Sequence, residues 1–342
     1  MLDNTLLEVK QLKTYFFLDE GTARAIDGVD FYIKRGEILG VVGESGCGKS
    51  VTARSILRIV PKPGKIVEGE ITLHRVVGKQ NGSTTTDLVK LTELDPMGSL
   101  MRSLRGSEMA LVPQEPMSSL SPVHTIGNQI MEAILLHQKV SKAEARSKTI
   151  EMLDLVGFPK PQQRVDSYPY QLSGGLRQRA VIAMALSCHP SLLIADEPTT
   201  ALDVTTEAQI LKLMRSLQSE LGMAIMYITH NLGVVAQMCE RVIVMYMGKV
   251  VEEADVDMIF HNPMHPYTSA LLRSIPRLGQ KTRDRLRLES IRGTVPDPYS
   301  IPKGCSFHPR CSKRIRGVCD QEEPPNIQVE PGHRVRCLLY KS

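Results

Sequence analysis

No apolar run in this chain approaches the roughly 18 residues that a membrane-spanning helix needs, so no segment is expected to cross a bilayer. The opening residues, MLDNTLLEVK, lack the basic stretch and apolar core of a secretory leader, and the cytoplasm is the expected compartment. Internal repeats, low-complexity tracts and sustained heptads are all absent, which excludes a repeat array, a polar tail-like polymer and a long coiled coil. Neither charge nor apolarity is extreme. Hydrophobic residues make up 42% and charged residues 23%, close to globular averages and far from disordered, collagenous or membrane-embedded chains. At about 150 residues per domain, 342 residues suggest one large or two unequal domains.

What is present is unevenly spread. The net charge is +5, yet residues 271–342 carry 15 basic and 7 acidic side chains, net +8, which leaves the first 270 residues at −3. Four of the seven cysteines, Cys305, Cys311, Cys319 and Cys337, fall in the last 38 residues. Residues 6–42 alternate short apolar runs with turn signals and read as strands ending in the buried run EILGVV. The segment from about Val76 to Gly106 contains the hairpin signal Asn81-Gly82 and reads as a surface excursion. Ser141 and Glu144 form a capping-box signature for a helix that Gly157 closes. Further helices are predicted over about 175–187, stopped before Pro190, and over about 205–222, where Gly222 supplies a left-handed stop. LLIAD at 192–196, MAIMYIT and RVIVMYM are buried strands. The fold class is therefore α/β, an open and mostly parallel sheet with helices on both faces. After about Val256 the texture turns Pro- and Arg-rich with no long periodic segment, and a domain boundary is expected there.

Gly43-Glu44-Ser45-Gly46-Cys47-Gly48-Lys49-Ser50 fits G-x-x-x-x-G-K-[ST] between the run EILGVV and a predicted helix. The chemistry explains the residue types. Glycines let backbone N–H groups converge on phosphate oxygens, Lys49 reaches the β- and γ-phosphates, and the Ser50 hydroxyl suits Mg²⁺. Val51 follows in the first helical turn, and Cys47 reads as a packing side chain. Asp196 and Glu197, closing LLIAD, supply one carboxylate for Mg²⁺ and one to take a proton from, or orient, an attacking water.

Leu172-Ser173-Gly174-Gly175, followed by Gln178 and Arg179, resembles the signature motif of ATP-binding-cassette (ABC) ATPases, in the family's order between the phosphate loop and the Asp-Glu pair. Gln114 resembles the Q-loop glutamine, Ala201-Leu202-Asp203 the D-loop, and His230 the switch histidine. The resemblance covers roughly residues 6–255 and implies a nucleotide-binding domain at 1–256 with an antiparallel β part and a helical subdomain at about 115–175. It implies Mg²⁺ and ATP as cofactors, with Gln114 ligating Mg²⁺ or water and His230 bonding the γ-phosphate. It also implies a second ABC ATPase subunit, identical or homologous, in a head-to-tail pair where Ser173, Gly174 and Gly175 meet the partner's nucleotide. An aromatic about 27 residues before the phosphate loop stacks on adenine in this family, which points to Tyr15 or Phe16.

The strings GESGCGKS, VPQEPMSSLSP, ADEPTTALDVTTEAQI and HNPMHPYTSALL look like prokaryotic dipeptide/oligopeptide importer ATPase subunits, a subgroup that includes nickel importers. This implies integral membrane permease subunits, whose coupling helix would meet residues 115–122, an extracytoplasmic peptide-binding protein acting indirectly, and residence at the cytoplasmic face of the membrane. A nickel or other small-solute importer, or an ABC ATPase acting on nucleic acid, is the alternative.

Residues 257–342 are expected to form a small, irregular, Cys-rich extension. Its spacing is C-x₅-C-x₇-C-x₁₇-C. Clustered thiols in a cytosolic chain suit metal better than disulfides. The absence of a C-x₂-C pair weakens a zinc ribbon, and Arg310, Lys313, Arg314 and Arg316 would offset the negative charge of an iron–sulfur core. The importer subgroup has a similar extension, taken in some members to hold a 4Fe-4S cluster; Zn²⁺ and unligated thiols stay open, with His308 and His333 as substitute ligands. The basic tail lacks the interleaved aromatic platforms of a single-strand reader, so nucleic acid is not an expected partner.

Overall fold

Alternating burial builds the amino-terminal strands. In the computed structural model, which describes residues 4–80, 83–200, 202–274 and 291–341, strands β1 (Thr5–Leu18) and β2 (Gly21–Lys34) turn one face inward. In β2, Ile26 and Gly28 are buried on alternate positions, and after a one-residue shift of phase at Gly28, where φ is +84, so are Val29, Phe31 and Ile33. The wholly buried β3 (Ile38–Val42) follows. With β4 (Gly64–Gln80) and β5 (Ser83–Lys90), β1 and β2 form a four-stranded sheet in the order β2-β1-β4-β5. The predicted surface excursion is thus largely sheet: β4 and β5 pair antiparallel from Thr72 opposite Lys90 to Gln80 opposite Ser83. Val76 and Leu88 on it are exposed, and the polar run GKQNGSTTTD is what makes the segment read as surface. Asn81 and Gly82 lie outside the described residues.

Contacts divide the chain into two compact units, Met1–Leu7, Tyr32–Ile38 and Thr72–Ile228 in the first, and Glu8–Phe31, Leu39–Ile71 and Thr229–Ser342 in the second. In the first unit β6 (Met109–Val112), β7 (Leu192–Asp196) and β8 (Ala224–Ile228) pair in parallel in that order. Every residue of β7 and β8 is buried, as continuous apolar runs require in a parallel sheet. Helix Val204–Leu221 makes the β7-to-β8 connection and ends at Gly222 with φ +65. Helices Ile126–His137, Lys142–Leu155 and Gly174–Leu186 pack on one another. The capping box forms as its spacing predicts: Ser141 Oγ accepts from Glu144 N at 3.3 Å, and the Glu144 carboxylate accepts from Ser141 N at 2.7 Å.

In the second unit β3 lies parallel to β9 (Arg241–Tyr246), β9 antiparallel to β10 (Lys249–Asp255), and the run continues through residues beyond 256. β12 (His333–Arg336) pairs antiparallel with β10, and β11 (Asn326–Glu330) with β12. The stretch expected to be irregular therefore supplies two strands. They are five and four residues long, too short for a periodic signal, and gain their place by pairing rather than propensity. Contacts put residues on both sides of 256 in one unit.

One buried histidine gives this unit a pH signature. His265 Nδ1 accepts from Tyr267 N at 3.1 Å, which requires the neutral ring. Complete burial, opposed only in part by nearby Glu252, pulls its pKa from 6.5 to about 4. As pH falls, the unfolded chain takes up this proton first. Stability from this residue is then whole above about 6.5 and drops by up to about 1.4 kcal/mol per pH unit down to about 4. Denaturant midpoints should show that slope in the native chain and lose it in His265→Gln; an identical slope in the variant would acquit His265.

Candidate functional site

The phosphate loop is shaped by positions that admit no side chain. A Cβ on Gly43, whose φ is +154, would lie 2.3 Å from Met245 O, and one on Gly48, φ +104, would lie 2.5 Å from Ala25 O. The loop is threaded between β9 and β2, and only glycine fits both the dihedrals and the space. Lys49 opens helix Lys49–Ile56, and its ammonium bonds Gly43 O at 2.9 Å and Glu44 O at 3.1 Å. The loop is thereby closed around its own cation. Ser50 and Val51 follow in the first turn, while Ser45 and Gly46 form the crest. Cys47 is buried, its Sγ 3.9 Å from Lys49 Nζ, and burial pushes its thiol pKa up. That environment is the packing role read from the sequence.

Other predicted residues share this unit. Thr229 N bonds Val41 O at 3.2 Å, which pins the strand end carrying His230 to β3, the strand that feeds the phosphate loop. Asn231 caps the next helix through Gly233 N and Val234 N, so His230 sits at a fixed corner and is exposed. Tyr15 and Phe16 point to opposite faces of β1. Tyr15 donates to Asp27 at 2.6 Å, has Arg24 over its ring, and lines a cleft of about 560 Å³ with Phe17, Thr22 and Tyr299. Burial, then the Asp27 bond, raises its pKa to about 12. Phe16 instead packs beside Gly64.

The first unit gathers a second group. Glu197 N bonds Ile228 O at 2.9 Å at the end of β7, and its backbone takes φ +47 directly before Pro198, a strained combination for a residue with a side chain. Its Oε2 accepts from Gln114 Nε2 at 3.2 Å and from Thr200 Oγ1 at 3.0 Å. Gln114 and Glu197, distant in sequence, are thus brought together, while Asp196 is buried beside them on the chain. Ser173 caps helix Gly174–Leu186 by accepting from Leu176 N at 3.4 Å. A Cβ on Gly175 would meet Thr206 Cγ2 at 2.7 Å, so the signature segment packs against the start of the next helix. Asp203 caps that helix, accepting from Thr206 N at 3.0 Å and Thr206 Oγ1 at 2.7 Å, and these bonds lower its pKa. The spacing Asp203-x-x-Thr206 carries the local signal for this cap. Ala201 lies outside the described residues. Within 115–122, Pro116–Ser119 is a helical turn, and Gln129 holds Ser121 N at 2.8 Å and His124 O at 3.0 Å.

The four tail cysteines lie close in space. Cys305 N bonds Cys319 O at 2.8 Å, and Ile315 N points to Cys319 Sγ at 3.3 Å. Burial first, and the neighbouring thiols after it, raise the pKa of Cys305, Cys311 and Cys337, the last to about 11. Among the described residues no three His, Cys, Asp or Glu side chains gather closely enough to hold a single metal ion. His308 Nδ1 is engaged with Cys305 O and His333 Nε2 with Glu252. Among the described residues no helix is long and apolar enough to cross a membrane.

Residues 26–200 match the ABC transporter family model, and residues 251–319 match the oligopeptide/dipeptide transporter C-terminal region. A probable peptide ABC transporter ATP-binding protein, y4tR of Sinorhizobium fredii, is 50% identical over 97% of this chain and 94% of its own length. The oligopeptide transport ATP-binding protein AppD of Bacillus subtilis is 48% identical over 99% and 98%, and the dipeptide transport ATP-binding protein DppD of Escherichia coli 44% identical over 97% and 96%. Among solved structures, the dimeric post-hydrolysis state of the cassette MJ0796 bound to ADP and phosphate superposes with a TM-score of 0.62, at 27% identity over 73% of this chain and 99% of that one. The α/β cassette fold read from the motifs is thereby established. The chain belongs to the ABC transporter ATPases, in the branch whose members carry the oligopeptide/dipeptide transporter C-terminal region.

Proposed function

We propose that this ATPase powers uptake of dipeptides or oligopeptides as the nucleotide-binding subunit of an importer. The observation that carries the reading is the near-full-length similarity to peptide transport subunits, extending through the C-terminal region at 251–319. Mg²⁺ and ATP are held by Lys49, Ser50, Gln114 and Asp196, with one of Tyr15 and Phe16 on the adenine. Glu197 activates the water and His230 bonds the γ-phosphate, while Ser173, Gly174 and Gly175 face the nucleotide of a second ABC subunit and Asp203 belongs to the nucleotide site. The subunit sits peripherally at the cytoplasmic face, with residues 115–122 against membrane permease subunits. A binding protein outside the membrane presents the peptide. Reconstituted with permease and binding protein in vesicles, the chain should show ATPase stimulation by short peptides; stimulation by Ni²⁺ alone would transfer the assignment to a metal importer.

We further propose that Cys305, Cys311, Cys319 and Cys337 hold a 4Fe-4S cluster. Support comes from the donor set: four soft thiol donors in one extension, Cys319 and Cys337 buried and Cys305 and Cys311 half-buried, with the neighbouring thiols helping to raise the pKa of Cys305, Cys311 and Cys337. When bound, such a cluster supplies one-electron redox chemistry and ties four segments of the extension together. Anaerobically purified protein is expected to be brown, with iron and acid-labile sulfide each at about four per chain. A colourless sample with one zinc, or with neither metal, would overturn it.

A further inference from the structure

Arg310 belongs to the cysteine-bearing extension, one residue before Cys311, yet its guanidinium ends at the phosphate loop. Nη1 and Nη2 lie 2.7 and 3.0 Å from the two carboxylate oxygens of Glu44, a two-pronged, charge-assisted pair. The Arg310 side chain is only 4% exposed. It lies over the Tyr246 ring, 5.8 Å from the centroid, and Nε donates to Arg292 O at 3.1 Å. Tyr246, Tyr267 and Phe307 pack together at centroid distances of 4.7–5.4 Å and wall in the pair. Tyr267 also accepts from Glu44 N at 2.9 Å. Glu44 is therefore gripped at backbone and side chain from the carboxyl-terminal side of the sequence, while its carbonyl accepts from Lys49.

Glu44 places an anion in a loop that must receive a polyphosphate. Left bare, that carboxylate would repel the nucleotide, and in a partly buried site the repulsion is weakly screened. We propose that Arg310 is a positioning residue for ATP, fixing the phosphate loop through Glu44 and cancelling its charge, so that the extension forms part of the nucleotide-binding apparatus. Arg310 touches no substrate. Its effect reaches ATP only through Glu44 and the Lys49 contact.

The test uses the full chain, reading ATP dissociation constants and the split between KM and kcat. Arg310→Gln is expected to raise KM for ATP about tenfold and change kcat by less than about twofold, the pattern of lost uniform binding. Arg310→Lys keeps a charge without the fork and should recover part of the affinity. The double variant Arg310→Gln, Glu44→Gln removes both charges and should bind ATP better than Arg310→Gln alone. Arg334→Gln, an exposed loss of the same charge in the extension, should match the native chain. Unchanged KM in Arg310→Gln, or a double variant whose losses simply add, would overturn the proposal. So would equal losses in Arg310→Gln and Arg334→Gln. Should Arg310→Gln fail to fold, the Arg310→Lys and double variants carry the same comparison.

Discussion

Glu197→Gln should bind ATP as well as the native chain and hydrolyse it about 10²- to 10⁴-fold more slowly, the range spanned by general-base catalysis. The substitution keeps shape and one oxygen, so the bonds from Gln114 and Thr200 retain an acceptor. What it removes is the capacity to receive a proton. The left-handed backbone at Glu197, immediately before Pro198, is held by its N–H bond to Ile228 and by β7 on the other side, so the side chain emerges from a fixed point. Strain of this kind costs about 1–3 kcal/mol and persists where surrounding structure over-determines it. Nucleotide binding and single-turnover hydrolysis, measured together, separate the outcomes. Turnover within a few-fold of native would remove Glu197 from the chemical step, and lost ATP binding would make it a structural residue.

The second large effect concerns stability. Glu252 is 1% exposed and accepts from Met264 N at 2.6 Å, His265 N at 2.9 Å and His333 Nε2 at 2.8 Å. Glu252→Ala strips two buried donors, His265 N and His333 Nε2, and the part-buried Met264 N of their acceptor at once. With an unsatisfied buried donor costing about 1–3 kcal/mol, a loss of roughly 3–5 kcal/mol is expected after partial relaxation. Glu252→Gln keeps an acceptor oxygen and should lose markedly less. Urea midpoints on the three proteins decide it: equal losses in both variants would show that charge, not the shared acceptor, carries the stability, and no loss in either would dismiss the network.

The legible features were local ones. Phosphate-loop spacing, the Ser141–Glu144 box and the Gly222 stop each depend on residues within a few positions of one another, and each forms where the pattern put it. Gln114 and Glu197 were singled out by motif order, but their direct bond belongs to the parallel pairing of β6 with β7. The β4–β5 ladder reads as an excursion because the polar run GKQNGSTTTD masks its alternation. From the sequence Arg310 reads as a counter-charge for the cysteines, whereas in the fold it pairs with Glu44. Its partner lies 266 residues earlier, and no periodicity carries information over that distance. Asp203 shows the opposite case, a cap whose signal is wholly local although the residue also stands in the D-loop motif.

The pairing of β12 with β10 bears on how the chain is made. During synthesis β9 and β10 leave the ribosome well before β12, since 81 residues separate Glu252 from His333. Throughout that interval β10 presents an open ladder of amides and carbonyls, together with a buried-to-be carboxylate still lacking its histidine. An unpaired strand edge of this kind can pair with a neighbouring chain, so the order of synthesis leaves that side of β10 open until β12 arrives.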